Sequence, residues 1–147
     1  MALSSAPSSA SASDHAQVLG PLDRRIVLSG LWVSMLFVFA YVDIFGFFRA
    51  DVVNGALTGT VPGAGFDIGQ TFLALTTLYI LVPSLMVAGS LLMPYRLNRF
   101  ANLALAGIYA LTIVGAMVGE TWVYYVIGSG VELVLLAAIA RVALRWH

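Results

Sequence analysis

Two carboxylic acids lie inside strongly apolar stretches of this 147-residue chain: Asp43 in AYVDIFGFF and Glu132 in GSGVEL. Moving an ionised carboxylate into hydrocarbon costs about 2.5 to 3.5 kcal/mol on insertion scales, so such residues usually mark functional sites or helix contacts. Arg49 is six residues from Asp43 and therefore off its helical face. Burial without a cation favours the protonated carboxyl group, which donates a hydrogen bond and can exchange its proton for a cation.

The residues before Glu132 favour burial in protein over contact with lipid. Gly128 and Ser129 precede it by one helical turn and Tyr125 by two, so this face is small and polar. Helical side chains lean toward their own N-terminus, which brings Asp43 and Glu132 closer in depth if their helices run in opposite directions. The sequence predicts a ligand-binding pocket built from Asp43, Glu132, Gln70, Tyr41 and Tyr125.

A simpler alternative is that each acid hydrogen-bonds a neighbouring hydroxyl or carbonyl group and so fixes the helices. Asn98 and Asn102, an i, i+4 pair, could hold a headgroup phosphate together with Arg96 and Arg99, although helix capping and anchoring explain them better. Pro83 predicts a kink, because it removes the helical hydrogen bond to a carbonyl one turn earlier.

The composition places these residues in a membrane protein. Hydrophobic residues make up 61% of the chain, charged residues 10%, and the mean hydropathy is +0.96. The net charge of zero excludes electrostatic binding of nucleic acid as the main function. The absence of Cys excludes disulfides and thiolate chemistry. His15 and His147 lie near opposite ends, so no metal site is predicted.

Four apolar runs are long enough to cross a bilayer, which takes about 20 helical residues. They cover about residues 26–48, 68–93, 100–118 and 122–144. Short connections between the last three runs predict an antiparallel bundle, and the long first connection, 49–67, reads as an exposed loop with one helical turn. The fold prediction is an all-α, integral membrane, antiparallel four-helix bundle over residues 23–147, preceded by a disordered Ser/Ala-rich tail, 1–22.

The arginines predict the orientation of the bundle. The chain has seven cationic residues, all Arg, and six of them fall on one side of a four-span arrangement: Arg24, Arg25, Arg96, Arg99, Arg141 and Arg145. By the positive-inside rule both termini are cytoplasmic. Trp122 and Trp146 at the two ends of the fourth span fit the aromatic belts of a membrane helix.

Several motifs resemble a family of small bacterial four-helix membrane proteins catalogued only as a domain of unknown function. The matching pieces are YVDIFG from Tyr41, IGQ from Ile68, VPSLM from Val82, PYRLNRFAN from Pro94, and YY at Tyr124 followed by Glu132. The resemblance covers about residues 31–146. It implies a protein of the bacterial inner membrane and family positions at Asp43, Gln70, Asn98, Arg99, Asn102 and Glu132. It implies no activity.

These features predict a non-enzymatic, multi-pass membrane protein that binds or moves a small amphiphilic or cationic ligand. The alternative is a structural or assembly role in which the acids lock helix packing, and a third hypothesis is an enzyme acting on lipids or quinones. No catalytic residue, metal or cofactor is predicted. The expected partners are the lipid bilayer and the small ligand, and an oligomer is compatible with the chain.

Overall fold

The computed structural model describes residues 23–62 and 65–145, which form five α-helices. They are α1 (Arg24–Gly46), α2 (Ala50–Thr58), α3 (Gln70–Leu92), α4 (Tyr95–Met117) and α5 (Val123–Leu144). All but α2 are long and apolar enough to cross a membrane. The predicted all-α chain with four such helices is confirmed. The predicted tail, 1–22, and the belt residue Trp146 lie outside the described residues.

Helix α1 packs extensively against both α3 and α5, and α5 packs in turn against α4. The core of these contacts includes Leu28, Trp32 and Met35 of α1 and Leu136 and Ile139 of α5, all of them buried. Helices α3 and α4 make few contacts with each other. The bundle is therefore closed on the α1 and α5 side and loosely joined between α3 and α4.

One end of the bundle is fastened by arginines, and we call it the Arg24 end. Arg24 donates a hydrogen bond to the carbonyl of Arg145 after α5, and Arg25 donates one, at 3.0 Å, to the carbonyl of Leu91 in the last turn of α3. Carbonyl groups in the last turn of a helix have no donor within the helix and carry partial negative charge. The start of α1 thus pairs with groups that the ends of α3 and α5 leave unsatisfied.

The opposite end, the Glu120 end, is fastened by Arg49. Its guanidinium forms a two-point contact with Asp51 (2.7 and 3.1 Å), reaches Glu120 at 3.0 Å and lies 4.8 Å over the ring of Trp122. The other oxygen of Glu120 accepts hydrogen bonds from the amides of Thr121 and Trp122 at 2.8 and 3.0 Å. This cluster joins the segment after α1 to the start of α5.

The long first connection is more ordered than the exposed loop with one helical turn that the sequence predicts. Helix α2 is nine residues long and is capped at its C-terminus by Gly59, whose φ of +75° suits glycine. The chain then turns back through an isolated antiparallel bridge between Thr60 and Asp67. A Cβ at buried Gly55 would lie 2.6 Å from the carbonyl oxygen of Thr60, so the fold of this segment requires glycine there.

Candidate functional site

A cavity of about 450 Å³ lies between the four long helices, in the half of the bundle nearer the Glu120 end. Two acids and several hydroxyl groups share its lining: Asp43, Thr76, Tyr79, Thr112, Tyr125, Ser129 and Glu132. The remaining lining residues are apolar, among them Phe39 and Phe72. No arginine is among the described residues that line the cavity, so its charged groups are both carboxyls.

Glu132 is the more enclosed of the two acids. Only 3% of the residue is exposed, and within the described part of the chain its carboxyl has no hydrogen-bond or salt-bridge partner. One turn earlier, a Cβ at Gly128 would lie 2.3 Å from Cγ2 of Val42, so α5 and α1 approach very closely there. This small-residue contact brings Glu132 beside the segment of α1 that carries Asp43.

Asp43 lines the same cavity as Glu132. Unlike Glu132, Asp43 is exposed at the surface of the bundle. Tyr125, half-buried, lines the cavity as well. The structure therefore brings together three of the five residues that the sequence predicts for a pocket: Asp43, Glu132 and Tyr125.

Tyr41 and Gln70 do not line this cavity. Tyr41 is 56% exposed, lies 6.1 Å from Phe45 between ring centroids, and borders a separate apolar groove between α1 and α5. It precedes Asp43 by two residues, and a helix turns about 100° per residue, so the two side chains leave α1 about 200° apart. Gln70 is the first residue of α3 and is exposed there.

Tyr79 is a cavity residue that the prediction omitted. Its hydroxyl lies 2.8 Å from the hydroxyl of Thr112, and its backbone carbonyl accepts a hydrogen bond from the hydroxyl of Tyr109. The rings of Tyr79 and Tyr109 are 4.7 Å apart. We call Tyr79, Tyr109 and Thr112 the tyrosine clasp. It joins α3 to α4 on the side of the cavity that faces the Arg24 end. The signal for Tyr79 in the sequence was Pro83. Proline has no amide hydrogen, so the backbone carbonyl of Tyr79 lacks its usual helical donor.

Asn98 and Asn102 lie away from the cavity in a buried amide network. The indole of Trp32 donates to Asn102 at 2.7 Å, the amide of Asn102 donates to the side chain of Asn98 at 2.7 Å, and Asn98 donates to the carbonyl of Ser90 at 2.6 Å. Both asparagines are fully buried. They hold α1, α3 and α4 together and are not accessible to a lipid headgroup, contrary to the headgroup alternative.

The lining of the cavity suits a cation. Two carboxyl groups that line one cavity can share a proton or hold a positive charge, and aromatic rings such as those of Phe39 and Tyr79 attract cations through their faces. The hydroxyl groups of Tyr125 and Ser129 add acceptors that tolerate several ligand orientations. An anion would instead meet two acids and no arginine among the described lining residues.

A sequence profile of the family of unknown function DUF6326 matches residues 21–147. The chain belongs to this family. The match confirms the resemblance to a family of unknown function and extends it over all the described residues. No curated protein and no solved structure matches the chain. Membership of DUF6326 therefore brings no activity with it, and the function has to be inferred from the cavity.

Proposed function

We propose that this DUF6326 protein is a non-enzymatic membrane protein that binds a small cationic amphiphile in the cavity of Asp43 and Glu132. The observation that carries the proposal is Glu132, which is nearly fully buried, lacks a partner among the described residues and lines a cavity of about 450 Å³. Cavities of about 300 to 1,000 Å³ are typical of small-molecule sites. A buried carboxyl group without a partner is unfavourable unless a ligand or proton satisfies it.

The ligand would be positively charged and partly apolar. The acids supply the charge complement, and the rings of Phe39, Phe72 and Tyr79 supply apolar and cation-π contacts. Proton-coupled movement of the ligand is the natural extension, because a carboxyl group that releases its proton can accept a cation in its place. Release of the cation would then accompany reprotonation of Glu132.

The proposal includes an antiparallel four-helix bundle with both termini in the cytoplasm of a bacterial cell and the cavity nearer the outer face of the inner membrane. The six arginines near the Arg24 end support this orientation through the positive-inside rule. The bonds of Arg24 and Arg25 to carbonyls at the ends of α5 and α3 support the opposed helix directions.

The structural alternative, in which the acids lock helix packing, has less support. Asp43 and Glu132 make no hydrogen bond or ion pair to another described residue, whereas Asn98 and Asn102 form the buried polar contacts that join helices. A packing role would place the acids against donors from neighbouring helices.

The test is binding of benzyltrimethylammonium to the full chain in lipid nanodiscs. Glu132→Gln should weaken binding at least tenfold, because the neutral amide is nearly the same size but removes the charge. Asp23→Asn is the matched control, since Asp23 caps α1 far from the cavity and Asn is also a good N-cap. Unchanged binding in Glu132→Gln would overturn the proposal. A lower melting temperature in Asp43→Asn and Glu132→Gln without ligand binding in the wild type would support the packing alternative.

A further inference from the structure

A second recess, of about 550 Å³, adjoins the cavity on the outer side of α3. Its walls are mainly apolar, with Phe66 from the loop and Phe72 and Leu75 from α3, and Asp67 and Thr71 complete it near the Glu120 end. We call this recess the α3 groove. Most of its walls belong to α3, a helix long and apolar enough to cross a membrane, so the groove suits hydrocarbon.

The α3 groove and the cavity share a border. Phe72, Thr76 and Tyr79 line both of them, one helical turn apart along α3. Thr76 has the smallest side chain of the three. Its hydroxyl donates to the carbonyl of Phe72 at 3.0 Å, so it is already satisfied and needs no ligand partner. An alkyl chain could therefore cross the border at Thr76 without leaving a polar group unpaired.

We infer that the two recesses form one site for a single-tailed cationic amphiphile, with the ammonium head at Asp43 and Glu132 and the hydrocarbon tail in the α3 groove. The inference rests on the proposed function and adds the chemical class of the ligand. Asp43 and Glu132 supply two negative groups for the ammonium head, and the α3 groove supplies an apolar wall for one hydrocarbon tail. The groove lies on the outer side of α3, so the tail of such a ligand can reach it from the bilayer.

The test compares alkyltrimethylammonium probes with butyl, octyl and dodecyl tails, with binding corrected for partitioning into empty nanodiscs. In the wild type, corrected affinity should rise at least tenfold from butyl to dodecyl. Thr71→Phe should abolish this rise while leaving the butyl probe within twofold, because Thr71 lines the α3 groove but not the cavity. Thr77→Phe is the matched control, because it makes the same change on α3 at a residue that lines neither recess.

The outcomes separate the two proposals. If Glu132→Gln leaves the butyl probe unaffected, the cation site itself is wrong. If Glu132→Gln weakens the binding of every probe but tail length has no effect in the wild type, lipid occupies the α3 groove. That result overturns only the inference that the cavity and the groove form one site. Equal loss of the tail effect in Thr71→Phe and Thr77→Phe also overturns it.

A second measurement needs no variant. A dodecyltrimethylammonium probe with a diazirine on its terminal carbon should label Phe66 or Leu75 on irradiation of the wild-type protein. Labelling in the apolar groove of Phe37, Phe45 and Tyr124 between α1 and α5 would place the tail on the wrong side of the bundle and contradict the inference.

Discussion

The hydroxyl group of Tyr109 donates a hydrogen bond to the backbone carbonyl of Tyr79. Pro83 follows Tyr79 by four residues and has no amide hydrogen, so this carbonyl lacks its usual helical donor. Helix α4 therefore supplies the donor that α3 lacks, and the two helices make few contacts with each other overall. The tyrosine clasp closes the loosest side of the bundle.

Tyr109→Phe should lower the free energy of unfolding by about 0.5 to 1.7 kcal/mol, because it removes the hydroxyl and leaves the Tyr79 carbonyl unpaired in an apolar setting. Unfolding in mixed micelles of detergent and SDS measures the change. In a Pro83→Ala background the amide of residue 83 can bond that carbonyl, so the same substitution should have a smaller effect. Equal effects in both backgrounds would show that the clasp does not compensate for Pro83.

Asn102→Ala should destabilise the bundle by about 2 to 4 kcal/mol. It leaves both the indole N–H of Trp32 and the side-chain oxygen of Asn98 without a partner in the core, and each unsatisfied group costs about 1 to 3 kcal/mol. Asn54→Ala, at an exposed position of α2, is the control and should change stability by less than about 0.5 kcal/mol. Similar losses in both variants would argue against the amide network as a packing element.

Gly128→Ala should destabilise the protein by about 1 to 3 kcal/mol, because the added methyl group would overlap the branched side chain of Val42. Gly130 is the matched control two residues along α5, where a Cβ meets nothing within 4 Å. Gly130→Ala should be neutral or stabilising by up to about 1 kcal/mol, since alanine favours helix. The melting temperatures of the two variants should therefore move apart, and equal shifts would contradict the close approach of α1 and α5.

The Arg49 cluster predicts a specific loss of stability in acid. Partial burial opposes ionisation of Glu120, but the amides of Trp122 and Thr121 and the guanidinium of Arg49 outweigh it and hold the pKa of Glu120 below its ordinary value of 4.5. The hydrogen bond from Arg49 is the main reason that the pKa of Asp51 is also lowered. Because both carboxyls bind protons less readily in the folded protein, their stabilisation is complete above pH 4.5 and is lost as the pH falls through the lowered pKa.

Glu120→Gln measures this effect. The variant should melt below the wild type at neutral pH, and the two melting temperatures should converge as the pH falls below 4.5, because protonation gives the wild type a neutral side chain as well. A difference that stays constant from neutral to acidic pH would show that the charge of Glu120 does not stabilise the cluster.

Hydropathy predicts the four long helices but not which side of each faces inward. In a soluble bundle the outer face is polar, so the period of the pattern marks the core. Here the lipid-facing side is as apolar as the core, and that signal is lost. For this reason Tyr41, on the outer side of α1, was predicted for the pocket and Tyr79 was not. Glu132 and Asp43 could be found because any acid stands out in such a sequence.

The sequence also does not predict the exact ends of the helices or the polar contacts between residues that are far apart in the chain. Helix α4 begins at Tyr95, five residues before the predicted span, because Arg96, Asn98 and Arg99 lower the local hydropathy without preventing helix formation. The spacing of Asn98 and Asn102 indicates a shared face, but their partner Trp32 lies 70 residues before Asn102 on another helix. Nothing in the local pattern links these side chains.

The bond from Arg24 to the carbonyl of Arg145 joins residues 121 positions apart. It can form only after α5 has been synthesised and inserted, while the bond from Arg25 to Leu91 is available as soon as α3 is in place. Helix α1 is therefore synthesised before either of its bonding partners. The Arg24 end can be complete only when the chain has been synthesised through α5.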